Sequence, residues 1–544
     1  GDVMLNFNYN IRRFDIAATL GWTGRYENMN NMRVSTNGGL VTENWFDLNA
    51  SRYTASSTLQ RMELLKTGYM GTLSLGWDNY LFLELTGRQE RSSTLKDQSF
   101  FYPSANLSFL FSNAFRMPAW WNHGKLRLSY GVVGNAPETY AANIIYEQGS
   151  DNGFTWNYVP SSWGNANIRP EKKYEYEIGF ESKFLNNRLG FDVSYYNNRV
   201  KDQILSTPQP STSGVKYVLM NVGEVANEGW DISVSATPVL TKNFRWDLTA
   251  NYGIYRNKVV KLADGVPYLE ISNIGGGGAK IQAVEGRPMG DIYVQVPQMN
   301  ENGEYLVSDK GLYMNQTELQ RVGNINPDGV GGLFSSFSYK NIFLDFSIDF
   351  RIGGDVINEM YQYSTASGLT PESLQFRDTE HGGLSYYYPG NNNASGVPVQ
   401  VDPSLGAGPN GETVYHDGVI LPGVVASTGE KNTRIIPAGY YYNQTYNWGT
   451  QPEQLTYRHS VFDNSYVKLR ELTIGYQFPE KLISKLGMTR LSVSVFGRNL
   501  FYFYKALKNY DAESSVGTSW ASQAVVGGST TATRNFGVSL RASF

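Results

Sequence analysis

Arg534 to Phe544 reads RNFGVSLRASF, with Phe536, Val538, Leu540, Ala542 and Phe544 at every second position. Asn535, Gly537, Ser539, Arg541 and Ser543 lie between them. An apolar/polar dyad over about ten residues has the length and pattern of a tilted strand with one face to lipid and the other to a wet lumen. A soluble edge strand can alternate in the same way, but less often ends on an aromatic residue with no tail. A strand in that position must have its edge paired, and barrel closure does this. The reading requires the same dyad in the strands before it.

The dyad recurs. Val3, Leu5, Phe7 and Tyr9 alternate with polar residues, turn at Asn10–Arg13, and continue as Phe14, Ile16, Ala18, Leu20 and Trp22. Leu73, Leu75 and Trp77 turn at Asp78-Asn79 into Leu81, Leu83 and Leu85, and Leu107, Phe109 and Phe111 precede Leu126, Leu128 and Tyr130. Tyr174, Tyr176, Ile178 and Phe180 alternate with Glu175, Glu177, Gly179 and Glu181, then return after Leu185–Arg188 as Leu189, Phe191, Val193 and Tyr195. Three glutamates on one strand face suit a water-filled lumen and not a dry core. The alternation puts Tyr174, Ile178, Phe191, Phe346, Phe350 and Leu540 on lipid, and Glu177, Asp192, Asp349 and Arg541 inward. Between Leu469 and Leu472 the phase slips, which reads as a β-bulge.

Composition fits that reading. The 544 residues exceed a typical soluble domain, and the absence of cysteine excludes disulfides and thiolate metal sites. A net charge of −3 gives no global field for nucleic acid. The mean hydropathy of −0.37 looks soluble, but in a barrel the polar lumen cancels the apolar exterior. Aromatics at 14% and 56 glycines argue for strands, girdles and turns. No run approaches the roughly 18 apolar residues of a membrane-spanning helix. The opening Gly1-Asp2-Val3 has no signal-peptide pattern.

Connections after Asn10, Trp77, Leu185, Pro238 and Tyr339 are short, and those near Ser112 and Pro479 moderate. The alternate ones, Thr23–Arg61, Asn135–Pro170, Arg256–Gly332, Gly353–Ser465 and Lys505–Thr533, are long. Short turns on one side and long loops on the other mark an outer-membrane barrel with extracellular loops. No fixed repeat period suggests a propeller. The count is about fifteen strands, whereas bacterial single-chain barrels have an even number. Residues 1–544 are therefore expected to be the C-terminal part of one all-β, antiparallel transmembrane barrel.

With those residues in place, the chain resembles the SusC/RagA-like TonB-dependent outer-membrane transporters. The resemblance rests on segments in the family's order: Leu126–Asn135 (LRLSYGVVGN), Asn167–Phe180, Asn187–Tyr196, Asn221–Ile232 (NVGEVANEGWDI), Val284–Tyr293 (VEGRPMGDIY), Gly323–Gly354, Asp417–Tyr442 and Asn464–Leu500. It implies a barrel of about 22 strands with a plug domain and TonB box, both expected to lie outside this chain, and residues 1–544 would then be the C-terminal two-thirds of that barrel. It further implies import of oligosaccharides or peptides too large for porins, in a Gram-negative outer membrane. Its implied partners are the membrane lipids, TonB acting on the plug, a SusD-like surface lipoprotein serving as a lid, and a dimer or larger complex. Two alternatives stand beside it, a structural or assembly barrel within a larger outer-membrane complex and a passive porin.

Nothing points to an enzyme or a cofactor. His123, His381, His416 and His459 lack zinc spacing. Asn300–Glu304 has only part of a calcium-loop pattern, so a polar turn is the better reading. Gly275–Gly278 lacks the context of a phosphate cradle and reads as a flexible hinge. Recognition is expected in the long loops. There Trp156, Tyr158, Trp163, Tyr386, Tyr387, Tyr388, Tyr440, Tyr441, Tyr442, Tyr446 and Trp448 offer flat faces for sugars, peptides or a protein partner. Loop packing would use the same residues. The lumen charges are expected to hydrogen-bond the plug. In the resembled class a terminal aromatic, here Phe544, is the assembly signal.

Overall fold

The apolar/polar dyads are extended strands, and each is hydrogen-bonded edge to edge with its neighbour. The computed structural model describes residues 1–96, 98–151, 154–209, 211–447, 457–528 and 532–544. The long strands are β1 (Asp2–Ile11), β2 (Phe14–Leu40), β3 (Ser51–Trp77), β4 (Leu81–Ser92) and β5 (Ser99–Phe109). They continue as β6 (Trp121–Asn135), β7 (Glu171–Phe184), β8 (Leu189–Pro208), β9 (Tyr217–Leu240) and β10 (Phe244–Lys261). The last are β11 (Gly329–Tyr339), β12 (Ile342–Ile352), β13 (Tyr466–Gln477), β14 (Arg490–Lys505) and β15 (Asn535–Ser543). Each is hydrogen-bonded to the next in chain order, and the short strand Ser162–Trp163 joins β9 in parallel, making a 16-stranded sheet. The chain forms two compact units, Gly1–Val234 with Asn257–Pro267, and Ser235–Arg256 with Tyr268–Phe544.

Directly opposed residues share a face, so the register tests the dyad. In the first unit Ile178 lies opposite Leu128 and Tyr195, while Glu177 lies opposite Ser129 and Tyr196. In the second, Phe346 lies opposite Ser335 and Leu472, and Asp349 opposite Gly332 and Lys468. Leu540 meets Val493 and Arg541 meets Ser492. In each of these ladders the apolar residue Ile178, Phe346 or Leu540 lies on the face opposite the charged residue Glu177, Asp349 or Arg541.

The tight turns rest on positive φ at Asp78 (52°) and Asn79 (58°), and at Leu185, Asn186 and Asn187 (55°, 57° and 62°). Asn and Asp tolerate that region better than most residues. The expected bulge is present at Arg470. Leu469 pairs with Ile348 and Glu471 with Ser347, leaving Arg470 as the extra residue. On the other side the register with β14 shifts between the same two residues.

Two expectations need correction. The connection placed at Thr23–Arg61 is mostly strand: β2 runs on to Leu40, β3 begins at Ser51, and Asn30 still pairs with Arg61. Alternation fades after Trp22 because both faces of this hairpin meet water, which removes the selection for a dyad but not the backbone ladder. Phe111, read as strand, begins the short helix Phe111–Ala114.

In the second unit three long connections fold together. Tyr268–Ile274, Ala279–Val284, Asp291–Val294 and Gln320–Asn324 form a four-stranded sheet. Asp355–Asn358, Val461–Asp463 and Val525–Val526 form a three-stranded one. Ile281, Ile292, Val294, Ile357, Tyr457 and Val525 close a common buried core. Burying such side chains contributes roughly 1.5–3 kcal/mol each, which gives the loops a fold of their own.

Candidate functional site: the loop domain and an aromatic hairpin

Close packing at Gly275 sets part of the loop core. It has φ +58°, and a Cβ there would run into the Tyr457 hydroxyl. The glycine run that reads as a hinge is therefore a close approach of backbone to a buried ring. Tyr457 donates to Glu359 at 3.3 Å, in the first turn of the helix Glu359–Ala366. Asn358 caps that helix by accepting from the Tyr361 amide at 2.9 Å. Asp291, fully buried within the VEGRPMGDIY segment, accepts from Arg287 at 2.5 Å, Arg321 at 2.9 Å and Asn324 at 2.9 Å.

A charged tie fastens the last loop to β13. The buried Lys468 ammonium lies 2.5 Å from Glu513 and 4.8 Å from the Tyr502 ring centre. Arg470, turned by its bulge, binds Asp349, Glu513 and the Asn499 side-chain oxygen. Burial alone would raise Glu513, but its hydrogen bonds from Arg470 and Lys468 outweigh that and bring it down to about 2. Nothing in the local sequence marked Glu513; only the bulge hinted that Arg470 is aimed somewhere.

The loop tyrosines divide by burial. Tyr386 is 1% exposed, stacks on Tyr415 at 5.5 Å and donates to Asp417 at 3.1 Å. Tyr388 meets it edge-on at 5.6 Å, and Tyr387 is half-buried. Tyr442 and Tyr446, on the helix Ala438–Tyr446, are buried against Tyr361 and Tyr441. Tyr442 donates to the Glu372 carbonyl at 2.8 Å. Burial, aided by neighbouring Tyr442, pushes Tyr441 up to about 12, so its hydroxyl stays neutral. Tyr440 points outward and Trp448 lies outside the described residues. The His459 ring lies 5.6 Å from Tyr446, and desolvation by its packed surroundings, with Arg458 beside it, lowers its pKa. Asn300–Glu304 is a polar turn, in which Asn300 Oδ1 accepts from the amides of Asn302 and Glu304.

The first unit carries a different aromatic surface. Glu147–Asp151 and Phe154–Tyr158 form a hairpin in which Phe154, Trp156 and Tyr158 occupy alternate positions and share one exposed face. Trp156 lies over Gly149, whose missing side chain makes room for the ring. The Tyr158 hydroxyl is raised mainly by its hydrogen bond to Glu147. Trp163 is half-buried, 6.3 Å from Tyr146, with an indole N–H that has no partner. Phe154 completes a row that the sequence reading left at Trp156 and Tyr158, although its alternate spacing was visible. Phe544 is 82% exposed beyond the end of β15.

Such an antiparallel sheet, apolar on one face, polar on the other and carrying a folded loop domain, defines an outer-membrane β-barrel of the receptor type. The family model "TonB dependent receptor-like, beta-barrel" matches residues 2–292, more than half of the chain, and the chain belongs to that family. It is an outer-membrane protein. TonB-dependent receptor P3 of Formosa agariphila is 22% identical over 82% of this chain and 42% of its own length. TonB-dependent receptor SusC of Bacteroides thetaiotaomicron is 27% identical over 41% of this chain and 24% of its own. The structure of the RagAB peptide transporter matches all of this chain and 55% of that one, with a TM-score of 0.72 at 18% identity. The chain thus spans about half the length of that solved structure.

Proposed function

We propose that the protein imports large nutrients, oligosaccharides or peptides, across the outer membrane as the barrel subunit of a SusCD-like pair. A surface lipoprotein would deliver ligand to the loops, and TonB would open the lumen by acting on a plug. The observation that carries this reading is the loop domain. Three connections share one buried core, a cost in ordered chain that a passive pore does not need. The RagAB structure, named as a peptide transporter, supports the peptide class. Trp156, Tyr158 and Tyr440, the exposed members of the aromatic set among the described residues, are assigned to ligand or lid contact, and Tyr386, Tyr442 and Tyr446 to holding the loops that present them.

The test is uptake by cells carrying the protein and its neighbouring lipoprotein, with labelled oligosaccharides and peptides in parallel. Energy-dependent uptake of one class is expected, falling about tenfold in a Trp156→Ala/Tyr158→Ala variant if each ring contributes roughly 0.5–1.5 kcal/mol. Steady conductance in a planar bilayer without TonB would identify a porin instead. No uptake, with the loops occupied by proteins of a larger complex, would identify an assembly role.

A further inference from the structure

We infer that the outer wall of the first unit holds a phosphate group of an outer-leaflet lipid, bound between Lys172 and Lys201. These lysines stand directly opposite each other in the β7–β8 ladder. They share the lipid-side face with Tyr174, over whose ring the Lys201 ammonium lies at 5.9 Å from the centre. Like charges directly opposed across a strand pair are destabilising unless something neutralises them.

No carboxylate does so among the described residues. Asp202 is taken by Arg169 at 2.9 Å, Glu224 by Arg199 at 3.2 Å and Asp264 by Lys261 at 3.5 Å. Glu175, paired with Lys173 at 2.5 Å, lies on the lumen face. Glu228 accepts from the Tyr195 hydroxyl at 3.3 Å and Glu171 from the Ile204 amide at 2.8 Å, so these acids too are engaged away from the lysine pair.

Depth identifies the source of the anion. Trp120, Trp121 and Phe184 cluster next to the short turn, at 5.5–5.9 Å between rings. Tyr176, Tyr195 and Trp230 form the opposite girdle, at 6.4 and 4.9 Å. From Phe184 to Tyr174 a strand tilted by about 45° climbs roughly 23 Å, close to the ~25 Å apolar band of such barrels. Lys172 and Lys201 then lie two same-face positions beyond Tyr176 of the girdle, at the height of lipid headgroups, where a juxtamembrane basic group is worth most.

The experiment is native mass spectrometry of the protein purified from its outer membrane in mild detergent. It is titrated with a phosphorylated lipid A, with the same lipid after phosphate removal, and with inorganic phosphate. Wild type should retain the phosphorylated lipid at least about tenfold better than the dephosphorylated one. Lys172→Gln/Lys201→Gln should lose that preference, and Lys172→Arg/Lys201→Arg should keep it. Equal retention of both lipids, or an unchanged preference in the glutamine variant, overturns the proposal. So does displacement of the lipid by millimolar inorganic phosphate, which would make this a free-anion site. Heat-modifiable electrophoretic mobility reports folding of each variant, and the arginine pair keeps the test decisive if the glutamine pair fails to fold.

Discussion

At the scale of single residues, the close contacts of the loop domain set its tolerance. Gly275 sits at φ +58° against Tyr457, so Gly275→Ala combines backbone strain with a steric clash and should cost about 1–3 kcal/mol. Limited proteolysis of the loops should accelerate while the strands stay heat-modifiable, and Tyr457→Phe, which removes the clashing oxygen, should restore part of the protection. Glu513 gives a pH prediction. Its carboxyl is depressed to about 2 in the folded protein, so its contribution is complete above the ordinary carboxylate range and is lost as pH falls toward 2. Hydrogen exchange around Val525–Val526 should be flat from pH 8 to about 5, once corrected for intrinsic rates, and rise only in stronger acid. Glu513→Gln leaves Lys468 buried beside a neutral partner. The expected loss is about 1–3 kcal/mol, less than the 3–5 of a fully buried pair because Glu513 is partly solvated.

At the scale of strands, the dyad made the sheet legible, because lipid and lumen impose opposite demands on alternate residues. The phase slip at Arg470 was readable for the same reason. Lys468 and Leu469 before it, and Glu471 and Leu472 after it, each keep to a face only if one residue is left over. Outside the bilayer that constraint lapses, and the outer parts of β2 and β3 read as loop. The tyrosines were located but not sorted: Tyr386 and Tyr440 have the same chemistry, and only tertiary packing decides that one is buried and the other exposed. Phe346, midway along β12 on the lipid side and 6.2 Å from Phe337, tests the register directly. Phe346→Arg should cost about 2–4 kcal/mol near the midplane, whereas Ser347→Arg on the lumen face should cost much less. Equal folding yields for the two variants in liposomes would contradict the face assignment.

At the scale of the whole molecule, the open question is what covers the ends of the sheet. Among the described residues β1 has one strand neighbour, β2, and β15 has one, β14. Each therefore carries a row of backbone groups without a strand partner, and in hydrocarbon every such group costs several kcal/mol. The inner neighbour of each end strand fixes its register, and cross-linking can test both registers cleanly because the chain has no cysteine of its own. Leu5→Cys with Leu20→Cys, directly opposed in the β1–β2 register, should give a disulfide readily when oxidised in the assembled outer-membrane protein. Leu540→Cys with Val493→Cys, directly opposed in the β14–β15 register, should do the same. A one-residue slip would turn each pair to opposite faces, so cross-linking of Leu5→Cys with Gly21→Cys, or of Leu540→Cys with Ser494→Cys, at comparable yield would show that the register is wrong.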